Sequence, residues 1–216
     1  IGNSYMTLNE LDKALDYHKR SLKIFKELED SYLIGYSLTS LGVNHYYRED
    51  YDTALDYYFQ VMEISKKLNN NDRIGQMFNN IGNIYNIKND YPLAIEYFKK
   101  SLEIAEEVND HLSVIESLNN IGINYRSQHS FETSLDYFKR ALIICNESEH
   151  LQHKSILLSN IGSTYFSIGN YLTALDYHKQ ALKIKEDFND NYGIVNEEFN
   201  IGVINYYMNN SSEALG

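Results

Sequence analysis

Ile81-Gly82-Asn83-Ile84-Tyr85, followed by Ala94-Ile95-Glu96-Tyr97-Phe98, is the stretch whose reading decides the fold. Its opening dipeptide returns every 40 residues, as Ile1-Gly2, Leu41-Gly42, Ile121-Gly122, Ile161-Gly162 and Ile201-Gly202. Its second half returns in phase as Ala14-Leu15-Asp16-Tyr17, Ala54-Leu55-Asp56-Tyr57, Ser134-Leu135-Asp136-Tyr137 and Ala174-Leu175-Asp176-Tyr177. A strict period of roughly 20 to 50 residues marks a repeat array. Each unit of an array contacts mainly its neighbours, so the usual product is an extended binding surface and not one central cleft.

Around the quoted stretch, Phe78, Ile81, Gly82 and Tyr85 fall at i, i+3, i+4 and i+7, the stripe of a helix. Tyr91, Ala94, Ile95, Phe98 and Leu102 form a second stripe. Asp30, Asn70, Asp110 and Asp190 stand where a first helix would be capped; Asp50, Asp90, Ser130 and Asn170 stand where a second would. Pro92, the single proline, falls in a first helical turn, where its missing N–H matters little. The spacing predicts helical hairpins, with helix A over roughly 31–48 and helix B over roughly 51–68 of the second unit. A mid-helix glycine disfavours a helix by about 1 kcal/mol against alanine. Its return in every unit therefore points to close approach of two helices, with the small residue at Ala94 doing the same for helix B.

The phased pattern Ile/Leu-Gly-x-x-Tyr, then Ala-x-x-x-Phe, resembles the tetratricopeptide repeat. Three features depart from it. The tryptophan slot holds Leu38, Phe78, Leu118, Leu158 and Glu198; the proline slot holds Lys26, Lys66, Glu106, Asn146 and Glu186; and the period is longer. Long repeats of this kind are similar to those of Leu-Gly-Asn (Pins-type) adaptors, kinesin light chains and bacterial sensor arrays. The resemblance implies an all-α fold, a right-handed α-α superhelix of helical hairpins with helix A lining the concave face. Residues 1–216 are expected to be a single array fragment of about five repeats, with both terminal hairpins cut.

On that implied face the residue before each Ile/Leu-Gly is Ser40, Asn80, Asn120, Asn160 or Asn200. A carboxamide both donates and accepts, which suits an extended peptide backbone. The same row could instead bond its own array; the shared phase favours the ligand. Three neighbouring rows vary between units, as a readout surface should: Asn3, Val43, Asn83, Ile123, Ser163 and Val203; Met6, Tyr46, Asn86, Arg126, Phe166 and Tyr206; and Thr39, Asn79, Asn119, Ser159 and Phe199. Arg126 is their one cation, a place for one acidic ligand residue, so a multi-lysine carboxylate clamp is not expected. The candidate ligand-binding residues are Asn79, Asn80, Asn83, Asn119, Asn120, Asn160, Asn200, Arg126, Tyr46 and Phe166.

A formal net charge of −11 argues against nucleic acid, whose phosphates require clustered Lys and Arg. The lone Cys145 excludes an internal disulfide framework, and no apolar run is long enough for a membrane span. His18 and His178 take the Phe slot of Ala-x-x-x-Phe and read as packing substitutes. His150 and His153 lie near Cys145, but no further ligand completes a metal set. The repeating tyrosines Tyr17 to Tyr177 read as packing between repeats. No phosphate loop or nucleophile elbow is present. The expected protein is a non-enzymatic, cofactor-free scaffold in the cytoplasm that binds a protein or peptide. The alternative is a receptor for a short signalling peptide that controls an appended cyclase, kinase or transcription factor. End-to-end self-association is expected from the uncapped terminal hairpins.

Overall fold

The computed structural model describes residues 2–7, 10–148 and 150–213. Among them are eleven helices and no strand: α1 (Gly2–Thr7), α2 (Leu11–Glu27), α3 (Ser31–Tyr47), α4 (Tyr51–Lys67), α5 (Asn71–Ile87), α6 (Tyr91–Glu107), α7 (His111–Ser127), α8 (Phe131–Ser148), α9 (Leu151–Ser167), α10 (Tyr171–Asp187) and α11 (Asn191–Glu213). Odd-numbered helices are the expected helices A and even-numbered ones the helices B. Ile1 and the Ala214-Leu215 start of a sixth helix-B segment lie outside the described residues. The chain divides into two compact units, Ile1–Val108 and Asn109–Gly216.

The hairpin expected over 31–48 and 51–68 is α3 and α4, each one residue shorter because Arg48 and Leu68 are C-caps. After α3, Glu49 takes a left-handed backbone (φ +62°); its N–H returns to the Tyr46 carbonyl at 3.0 Å. The Asp50 N–H reaches the His45 carbonyl at 2.9 Å, completing a Schellman motif. Asp50 then caps α4 by accepting from the Thr53 N–H. One residue thus closes one helix and opens the next. Glu29-Asp30, Asn69-Asn70, Asn89-Asp90, Gly169-Asn170 and Asn189-Asp190 repeat the device. Asp110 caps α7 as expected, whereas His150 holds the cap position of α9 without a side-chain bond.

Packing within each hairpin centres on the glycine. A Cβ built on Gly82 would lie 2.7 Å from Phe98, one on Gly122 2.6 Å from Phe138, one on Gly42 2.5 Å from Tyr58 and one on Gly162 2.7 Å from His178. The ring of helix B therefore rests on bare helix-A backbone. The small residue four positions before that ring (Ala54, Ala94, Ala174) is fully buried, and Ser134 in the same slot donates its Oγ–H to the Gly122 carbonyl at 2.8 Å. The recurring tyrosines pack differently from the expected inter-repeat contact. Tyr97 stacks on Tyr85, Tyr137 on Tyr125 and Tyr177 on Tyr165, all within one hairpin, with ring centroids 5.5–5.6 Å apart. The close approach at the glycine brings into register the helix-A tyrosine three residues after the glycine and the helix-B tyrosine immediately before the ring. Leu38, Val61, Met77, Ile81 and Ile84 form the core of the first unit. Leu118, Ile121, Phe138, Leu157 and Ile161 are buried in the second.

Gly82→Ala should cost about 2 kcal/mol, because the Phe98 ring must shift. At the turns, Gly169→Ala (φ +78°) should lose about 1 kcal/mol and Glu29→Gly (φ +55°) should gain a similar amount. Urea unfolding of the three variants measures these changes.

Candidate ligand-binding face

In the first unit, residues of the readout rows converge on one cavity of about 510 Å³. Asn3 and Met6 of α1 and Thr39, Ser40 and Val43 of α3 line it, with Leu11 and Tyr47. Four of these seven are apolar or aromatic, so the walls offer hydrophobic contact with hydroxyls and an amide at the margin. The row residue Tyr46 lies beside the cavity, edge-on to Tyr47 and Tyr51 at 5.6 and 5.9 Å. Asn79, Asn80 and Asn83 of α5 are half-buried on their own helix.

In the second unit, Asn120 (α7), Asn160 (α9) and Asn200 (α11) are half-buried at one phase of successive helices A. Asn119, Asn160 and Arg126 are brought into contact. The Asn160 Nδ2 donates to Asn119 Oδ1 at 2.8 Å, and the Arg126 Nη1 donates to the Asn160 carbonyl at 3.1 Å and its Oδ1 at 3.4 Å. The row's amides therefore bond within the array at Asn160. Burial lowers the Arg126 pKa from its ordinary value. The Phe166 ring lies 5.5 Å from that of Tyr171 and 5.4 Å from that of Tyr207.

One charged cluster is not foreseen from the pattern. The Glu197 side chain of α11 is buried and accepts from the His178 Nδ1 at 2.6 Å, from the Lys185 Nζ at 2.5 Å and from the Ser159 hydroxyl. His178 thus fills the ring slot over Gly162, as expected of a packing substitute, and also carries a buried hydrogen bond. The available signal was phase: Ser37, Met77, Ser117 and Leu157 precede Glu197 at the same position, and none is charged. Burial opposes ionisation of Glu197; the bonds from His178, Lys185 and Ser159 outweigh it and hold the carboxyl below its ordinary pKa.

The features set aside in the sequence have structural settings of their own. His150 and His153 lie edge to face at 6.0 Å, and among the described residues no group of three His, Cys, Asp or Glu could hold a metal ion. Cys145 is buried, with its thiol pKa pushed up to about 11 by desolvation. No helix of the described residues is long and apolar enough to cross a membrane.

Tandem hairpins joined by a ring on a glycine define an α-helical repeat protein with its variable residues on helix A. A family model described as tetratricopeptide repeat matches residues 1–67, 73–147 and 125–187. The chain belongs to the tetratricopeptide repeat family. A search of the curated proteins finds no match. Among solved structures the chain is similar to aspartyl phosphate phosphatase F from Bacillus subtilis, at 23% identity and a TM-score of 0.83 over 90% of this chain and 52% of that one. It is similar to a signal transduction ATPase with a tetratricopeptide repeat sensor from Pyrococcus horikoshii, at 19% identity and 0.80 over 96% and 32%. It is also similar to the Rap conjugation gene regulator of plasmid pLS20 in complex with the Phr* peptide, at 19% identity and 0.61 over 69% and 42%. These likenesses establish the α-α superhelix fold class, and the chain spans about half or less of the three structures.

The Glu197 cluster gives a pH prediction. Because the folded carboxyl titrates below its unfolded value, its contribution is fully present above the ordinary carboxylate range and fades as pH falls through the folded pKa. Glu197→Gln should therefore cost about 3 kcal/mol at pH 7, where it leaves Lys185 without a buried counter-charge. The deficit should narrow below about pH 4.5. Urea unfolding of both proteins at pH 7 and pH 3.5 measures the difference.

Proposed function

We propose that this chain is a peptide-binding module of a larger protein, one array over residues 1–216 whose helix-A faces receive an extended segment of a partner. The observation that carries this reading is the cavity of the first unit. Residues selected from the sequence only by their phase, Asn3, Met6, Thr39, Ser40 and Val43, line one space of about 510 Å³. That is a volume in the range of small-ligand pockets, and large enough for one or two apolar side chains. Amides at Asn80 and Asn200 lie at the same phase of their own helices, suited to main-chain donors and acceptors of the ligand. Its role is recognition and not catalysis, in the cytoplasm, where the buried Cys145 thiol stays reduced. Self-association belongs to the same reading, through the exposed Tyr192, Val195 and Phe199 of α11.

Two of the similar structures favour a narrower reading, a receptor that relays a short signalling peptide to an output domain. One is described as holding the Phr* peptide and the other as carrying a repeat sensor on an ATPase. An output domain joined to this array would favour the receptor; further repeats would favour the scaffold.

The test is selection of binders from a display library of random twelve-residue peptides. Enriched peptides should carry apolar and amide side chains. Val43→Trp, which fills the cavity, and Asn80→Ala should each weaken them about fivefold, one contact at about 1 kcal/mol in the amide case. Unchanged affinity in both variants, with helicity and melting preserved, would remove the helix-A face from the reading.

A further inference from the structure

Arg126 differs from the cations that pair with a carboxylate, and resembles Arg73, whose Nη1 donates to the Tyr32 carbonyl at 3.1 Å. Lys88 pairs with Asp52 at 2.6 Å, Lys100 with Glu96 at 2.6 Å and Lys185 with Glu197 at 2.5 Å. Arg126 is half-buried on the helix-A face of the second unit, and both oxygens it reaches belong to one neutral residue, Asn160. Among the described residues no carboxylate pairs with it. The Phe138 ring, centred 6.0 Å from its Cζ, backs the guanidinium with an apolar surface. Carbonyl dipoles satisfy hydrogen bonds but leave a full charge uncompensated in a partly desolvated place, which is unfavourable until an anion arrives.

Its surroundings are ordered to receive one. Asn119 and Arg126 lie seven residues apart on α7, hence on one face, and Asn160 stands opposite on α9. The 2.8 Å bond from Asn160 Nδ2 to Asn119 Oδ1 orients the Asn160 amide so that its Oδ1 faces the guanidinium. That Oδ1 contact is the weaker of the two at 3.4 Å, and the main-chain bond at 3.1 Å holds the arginine in place without it. An incoming carboxylate can replace the weak contact and accept two parallel N–H bonds from the guanidinium fork. One cation among neutral amides matches a singly charged anion better than a phosphate dianion.

We propose that Arg126, oriented by Asn160 and Asn119, is a subsite for one carboxylate of the bound peptide, an Asp or Glu side chain or the C-terminus. The inference rests on the peptide-binding reading and adds to it a register. The equivalent positions on the other helices A carry Met6, Tyr46, Asn86, Phe166 and Tyr206, so the array offers this charge at α7 alone. A ligand that places its carboxylate there has its remaining side chains assigned to fixed positions along the face.

The test uses the ¹⁵N-labelled chain and follows the Arg126 Nε–Hε resonance by NMR at pH 7. The probes are N-acetyl-aspartate methylamide for a side-chain carboxylate, N-acetyl-alanine for a C-terminal one and N-acetyl-asparagine methylamide as the neutral control. Either acid should move the resonance to saturation at millimolar concentration, while the neutral amide should not. At least threefold tighter saturation by one acid assigns the source. A main-chain amide near Arg126 should report the same saturation, and that signal should vanish in Arg126→Asn, which copies the residue α5 carries as Asn86. In Asn119→Ala saturation should weaken severalfold. The proposal is overturned if neither acid saturates the signal, or if the neutral amide shifts it equally. Carboxylate saturation without any selected peptide binder would sink the peptide reading and keep the anion site; selected binders indifferent to Arg126→Asn would do the reverse.

Discussion

In each hairpin an aromatic or imidazole ring lies against helix-A backbone at a residue that has no Cβ. Phe98 on Gly82 and Phe138 on Gly122 are the plainest cases, with Tyr58 on Gly42 and His178 on Gly162 as variants. A separation this short is closed to every residue but glycine, so the joint determines how near the two helices lie. Nearness in turn sets the rest. It buries the small residue one turn before the ring, and it brings the next tyrosines of both helices face to face at 5.5–5.6 Å. The unfavourable propensity of a mid-helix glycine, about 1 kcal/mol, is offset by the ring area that its absent side chain lets the hairpin bury.

The parts of this fold that could be read in the sequence are those in which one residue type does one job at fixed spacing. The glycine, the small residue and the capping Asp and Asn of Asp30, Asp50 and Asn70 are of that kind, and helix ends fell within one residue of expectation. The turns were harder to read. Their left-handed residue is Asn at Asn69, Asn89 and Asn189, glycine at Gly169, but glutamate at Glu29 and Glu49 and histidine at His129. Glutamate has no preference for that conformation; it is held there by the two returning N–H bonds on either side, which depend on the helix already being formed. The tyrosine partners were misassigned for a similar reason, since a period shows that a contact recurs and not whether it lies within or between repeats.

On the helix-A face the same division holds. That Asn119 and Arg126 share a face of α7 follows from helical geometry. That Asn160 spends its amide on Asn119 depends on which side chain the adjacent helix presents, and that varies from unit to unit. Glu197 shows what a single substitution at a repeated phase does. A carboxylate where Leu157 and Met77 pack apolar surface would be unstable alone, and it is tolerated because His178 and Lys185 of α10 and Ser159 of α9 all turn toward it.

Glu197 and Arg126 are then two answers to the same problem, a charge inside a helical array. Glu197 is saturated by three donors of its own unit, two of them basic, and its charge is neutralised before any ligand is present. Such a group stabilises and positions, and it has no reason to release its partners for a ligand. Arg126 has hydrogen bonds but no counter-charge, although the chain as a whole carries eleven more acidic than basic groups. In an acidic protein, pairing one arginine internally would require only an Asp or Glu at a neighbouring phase, as Asp52 does for Lys88. Position 160 instead carries an amide that can yield its Oδ1, and position 119 an amide that steadies it. The difference between a structural charge and a receptive one lies in whether its compensation is supplied from inside the fold, and at Arg126 it is not.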